Sequence, residues 1–198
     1  MTFDFQSWMR AVWTSIMEPS DSARKVIAMD IPREALWTAL MLIAVLNVIL
    51  VAVLQMLSPA PVAFEQQAFA MSPFGFFAII SVFLVMLVFG VFHAGRMLGG
   101  KGTLLATLAI VVWFQSISLT LEAVQIVLVV ISPAIGSIFG LVSLGALLWC
   151  FVNFINILHG FNSLGKALAA VVLALFGTAL VAGIILTVLG LGAVGGMA

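Results

Sequence analysis

Residues 104–130 read LLATLAIVVWFQSISLTLEAVQIVLVV, and after Ile131-Ser132-Pro133 residues 134–158 read AIGSIFGLVSLGALLWCFVNFINIL. Each run is near the roughly 20 residues that cross about 30 Å of hydrocarbon at the helical rise. Polar and apolar residues do not alternate along them, as they would in a strand of a membrane barrel. Apolar residues wrap the whole helical circumference, unlike a helix that lies flat on a surface. Three more such runs flank this pair, at 33–57, 74–98 and 167–189. The chain is 65% hydrophobic and 7% charged, with a mean hydropathy of +1.35. A soluble domain of 198 residues cannot hide that much apolar surface in one core. The expected fold is an all-α integral membrane bundle with five transmembrane helices.

The charges thread the bundle. Arg10, Arg24, Lys25 and Arg33 precede or open the first span, Arg96 and Lys101 lie between the second and third, and Lys166 lies between the fourth and fifth. The loop 58–72 carries only Glu65, while the Ser132-Pro133 turn and the tail after Leu189 carry no charge. Lys and Arg in short loops stay cytoplasmic, so the N-terminus is expected inside and the C-terminus outside. No cleavable signal pattern is read, because the first apolar run follows about thirty mixed residues. A net charge of zero and the lack of a basic cluster argue against nucleic-acid binding. The single cysteine, Cys150, has no internal disulfide partner and reads as a small buried apolar residue.

Residues 1–32 form an arm ahead of the five-helix domain, 33–198. Phe5, Trp8, Met9, Val12, Trp13, Ile16 and Met17 recur at helical spacing, and Asp4, Gln6, Ser7, Arg10, Thr14 and Glu18 take the other face. Such a helix docks a partner protein, or lies on the inner leaflet or on the protein's own bundle. Pro19 breaks it, and Ser20 or Asp21 can cap a second short helix. Asp30 reads as the N-cap of the first span, with Pro32 in its first turn and Glu34 complementing the helix dipole. The arm carries four cations and five carboxylates, counting Arg33 and Glu34, and reads as a solvated mixed-charge face rather than an anionic-lipid patch.

Glu122 stands out inside the third span, about 7.5 Å along the helix from a midpoint near Ile117. A carboxyl there is expected to be protonated, paired or facing water. Gln115, Ser118, Glu122 and Gln125 form one polar stripe, and Asn153 and Asn156 add polar groups from the fourth span. The stripe reads as interhelical hydrogen-bonding glue; the alternatives are a transporter or ion channel centred on Glu122, or a polar contact facing a partner protein. His93 and His159 fall at similar depth, but two histidines without a Cys or nearby carboxylate make a thin metal or haem set. Gly99-Gly100-Lys101-Gly102 lacks P-loop spacing and reads as a tight turn. No nucleophile–base pair is visible. The expectation is no enzyme, no cofactor and no metal. Gly95 with Gly99, and Gly136 with Gly140, match the spacing that lets helices cross closely, within the bundle or against another chain. With Phe5, Trp8, Val12, Trp13 and Ile16 they make a candidate interface. The expected partners are the lipid bilayer and other integral membrane proteins, with a homo-oligomer also compatible.

Two strings carry a family likeness. The turn Gly99-Gly100-Lys101-Gly102-Thr103 opens a helix leading to Trp113-Phe114-Gln115-Ser116. Trp149 is followed by Asn156-Ile-Leu-His159-Gly160-Phe161-Asn-Ser-Leu-Gly-Lys166-Ala167. On these strings and its architecture the chain resembles the Yip1-domain family, from Pro32 to the fifth span. The resemblance implies a non-enzymatic protein with five spans and a cytoplasmic N-terminus. Eukaryotic members of that family bind Rab GTPases and carry tyrosine-containing motifs. This chain has no tyrosine and looks more like the short bacterial members, which implies a bacterial inner membrane.

Overall fold

A computed structural model describes residues 4–57 and 73–188, and within them every regular element is a helix. The loop 58–72 and the tail after residue 188, including the expected end of the last span, lie outside the described residues.

The arm folds into two helices, α1 (Phe5–Met17) and α2 (Pro19–Ala28). Asp4 caps α1, its carboxylate accepting from the Gln6 and Ser7 amides at 3.2 Å each. The hydrogen bond from the Ser7 hydroxyl, followed by that from the Gln6 amide, holds the Asp4 carboxyl below its ordinary range. The second helix begins at Pro19, ahead of the expected caps Ser20 and Asp21. Proline suits the first turn because its missing N–H would have no intrahelical partner there. Asp30 does not cap the first span as expected. It turns the chain instead, in a left-handed conformation with φ 45°, which a short polar side chain tolerates.

Five long apolar helices follow: α3 (Arg33–Leu57), α4 (Pro73–Met97), α5 (Leu104–Ile131), α6 (Pro133–His159) and α7 (Leu164–Val188). Four agree with the sequence reading to within a residue at each end. The fifth begins three residues early, because Ser163 caps it by accepting from the Lys166 amide at 3.4 Å. α6 ends at Gly160, left-handed at φ 63°, where glycine avoids the Cβ penalty. α4 ends the same way at Gly99, φ 85°. The two turns are tied together, the Lys101 amide donating to the His159 carbonyl at 3.1 Å. α2 reaches this end too, since Arg24 and Ala28 share a cleft with Gly160 and Asn162. The arm and both turns, with all seven cations, therefore gather at one end of the bundle.

α5 packs along α6 and α3, α4 pairs with α7, and α2 lies on α6. Burial is uneven along the axes. Thr107 to Val111 and Cys150 to Ile155 are buried without a break. Unbroken burial means that protein covers every face of the helix, as lipid-facing helices never show. Between Pro133 and Trp149, by contrast, only Gly136 and Ser143 are buried. The arm-end portions of α5 and α6 are thus sheathed by α1, α2 and the neighbouring spans, with α1 reaching Thr120 on α5.

Tryptophans cluster where the arm meets the spans, although α1 continues along α5 past Trp113 as far as Thr120. Trp113 lies 5.6 Å from Trp8, ring to ring, and Trp149 precedes Cys150, which touches α1 at Ser15. Trp37 follows Leu36, which shares a cavity with Trp113. Trp13 projects from α1, 64% exposed. Tryptophan favours the membrane–water boundary. From this level Trp113 to Ile131 rises about 27 Å, and Trp37 to Leu57 about 30 Å, each close to a hydrocarbon thickness.

Candidate functional site

The apolar stripe of α1 docks on the protein's own bundle. Val12 is fully buried and Ile16 packs against the core. Trp8 meets Trp113 edge to face and donates from Nε1 to Thr120 Oγ1 at 3.1 Å. Phe5 and Trp13 face outward, 69% and 64% exposed, so the rest of the stripe is left to lipid or a partner. At the centre of the contact is Ser15, 0% exposed. Its hydroxyl donates to the Ala11 carbonyl at 2.8 Å, lies 2.6 Å from Ser22 Oγ, and accepts from Trp113 Nε1 at 3.1 Å. One donor and two acceptors exhaust a hydroxyl. The Cys150 thiol adds a bond to the Ser15 carbonyl at 3.4 Å. Ser15 was not singled out in the sequence. Its signal was a small polar residue three positions after Val12, within the apolar stripe.

Of the four glycines of the candidate interface, Gly95, Gly136 and Gly140 face the protein's own bundle. A Cβ at Gly136 would meet Val129 Cγ2 at 2.3 Å, and one at Gly140 would meet Gln125 Nε2 at 2.5 Å. These two positions are spent on the α5–α6 crossing. A Cβ at Gly95 would meet the His159 ring at 2.1 Å, and Gly100 and Gly102 press on the same imidazole. Gly99 supplies the turn. Three glycines therefore cradle His159, which Phe161 stacks at 5.3 Å. The ring is 1% exposed. The Val91 carbonyl lies near it, yet neither ring nitrogen meets hydrogen-bond geometry with a described residue. His93 differs. It is exposed, with Nδ1 2.8 Å from the Phe89 carbonyl oxygen of its own helix. The two histidines do not share a common space.

No hydrogen bond among the described residues joins any two of the six intramembrane polar residues. Asn153 donates to the Trp149 carbonyl at 2.8 Å and accepts from the Ser20 hydroxyl at 3.4 Å, fastening α2 to α6. Asn156 accepts from the Ser163 amide at 3.1 Å and shapes the α6–α7 turn. Ser118 is buried, and Gln115 and Gln125 are half-buried. Glu122 is exposed on the flank of α5, beside Ala123 and Val127. It has no hydrogen-bond partner or ion pair among the described residues. It lies about 14 Å from the Trp113 level, half-way to Ile131. Neither described cavity is lined by it.

Five long apolar helices, no strand among the described residues and an arm folded onto one end define a multi-pass helical membrane protein. The family model for the Yip1 domain matches residues 13–195, and the chain belongs to that family. No curated protein matches the chain, and no solved structure does.

Proposed function

We propose that this Yip1-domain protein organises or assists other membrane proteins, as an accessory subunit that works by contact rather than catalysis. The carrying observation is Glu122, a carboxyl with no hydrogen bond or ion pair among the described residues, exposed on an apolar flank half-way between Trp113 and Ile131. An acidic or basic side chain left to lipid at such a depth costs about 3 kcal/mol. Burial against another protein's polar or basic group removes that cost. The short-loop rule for Lys and Arg supports an arm facing the cytoplasm. The likeness to short bacterial members supports an inner-membrane location.

Glu122→Leu tests the reading. Mild-detergent purification followed by mass spectrometry should yield a stoichiometric membrane protein with the wild-type chain. Glu122→Leu should lose it while keeping helical content and gaining intrinsic thermal stability; Glu122→Gln should retain part of it. A wild-type chain that purifies alone, or a partner held equally by Glu122→Leu, contradicts the proposal.

A further inference from the structure

A cavity of about 360 Å³ lies where the arm meets the spans. α1 contributes Arg10 and Thr14, α2 contributes Lys25, and α3 and α5 contribute Leu36, Val112 and Trp113. Its charged lining is all of one sign. The arm as a whole is slightly acidic, but no carboxylate lines this space. Arg24, on the same helix, pairs with Asp21 at 2.7 Å, whereas Arg10 and Lys25 have no ion pair among the described residues. The cations lie on the arm side, and the wall of Leu36, Val112 and Trp113 continues into the apolar bundle. The tryptophan level runs through it, which is the depth of lipid headgroups.

We propose that this cavity is a binding site for one anionic phospholipid. The phosphate sits between Arg10 and Lys25, and an acyl chain follows the Leu36–Val112 wall. Charge complementarity selects the anion, and the wall selects a tail. A free phosphate satisfies the cations but leaves the apolar wall wet, so the site commits to the lipid. The mixed-charge arm read from the sequence becomes selective because Arg10 and Lys25 line the cavity, no carboxylate does, and neither has an ion pair among the described residues.

Delipidated protein is exposed to mixed micelles of equimolar phosphatidylglycerol and phosphatidylcholine, and retained lipids are counted by native mass spectrometry. Two cations at an anionic surface give a preference of roughly fivefold to thirtyfold for the anionic lipid. One phosphatidylglycerol should stay on the wild type. Arg10→Gln with Lys25→Gln should bring the ratio near unity. The charge-keeping pair Arg10→Lys with Lys25→Arg should preserve the preference, as should Arg24→Gln. Each variant is checked for unchanged helical content, which exposed positions should tolerate. Equal retention of both lipids by the wild type overturns the site, as does an unchanged preference in the double Gln variant or an equal loss in Arg24→Gln. Displacement of the bound lipid by millimolar inorganic phosphate alone overturns the lipid as occupant.

Discussion

Replacing Ser15 with Ala should loosen the arm without unfolding the bundle. The Ser15 hydroxyl is saturated by Ala11, Ser22 and Trp113. Its loss leaves the Trp113 indole N–H and the Ser22 hydroxyl without this partner. The Ser22 hydroxyl can rotate toward another acceptor. The Trp113 ring cannot follow, because Trp8 packs against it at 5.6 Å. An orphaned buried donor costs about 1–3 kcal/mol, and we take about 2 kcal/mol for this half-buried pair. That is roughly thirtyfold in the docking equilibrium. Hydrogen exchange of α1 amides in lipid nanodiscs reads this directly, because local opening sets the exchange rate. Exchange should accelerate by that factor in α1 and extend into the start of α2, while α5 and α6 stay protected. Ser137→Ala, which removes only a hydroxyl bonded to its own helix at Pro133, should change nothing in α1. Unchanged α1 exchange in Ser15→Ala would refute the view that this hydroxyl fastens the arm.

Gly95→Ala should lower the thermal midpoint in detergent, since its Cβ would strike the buried His159 ring at 2.1 Å and overpacking costs about 1–3 kcal/mol. Gly145→Ala, with nothing within 4 Å, should leave the midpoint unchanged or raise it slightly. The N-cap Asp4 has its carboxyl held below the ordinary value, so its contribution is complete above the unfolded value and fades as pH falls through the folded one. Exchange at the Gln6 and Ser7 amides should therefore rise on acidification through and below the ordinary carboxylate range, and Asp4→Asn should flatten that profile.

The fold was legible because hydropathy runs are long and their length is fixed by the bilayer. The arm's stripe is legible for the same periodic reason, and the bundle surface is one of the faces such a stripe fits. Other features depend on tertiary packing, which periodicity does not encode. Gly136 and Gly140 carry the right spacing for an interface, but only the fold shows that Val129 and Gln125 already fill it. The polar stripe of α5 looked like one network because its residues share a helix face. The neighbours then differ turn by turn, burying Ser118 and exposing Glu122. The cradle around His159 joins two turns far apart in sequence, and no local pattern announces it. Asp30 failed as a cap because the link from α2 to α3 needs a sharp turn there.

Photocross-linking tests the central claim, that another protein covers the Glu122 flank. A photoreactive amino acid placed at Ala123, exposed beside Glu122, would be irradiated in native membranes. A discrete protein adduct, diminished when Glu122→Leu is added, is the predicted result. Adducts with lipid alone would contradict it.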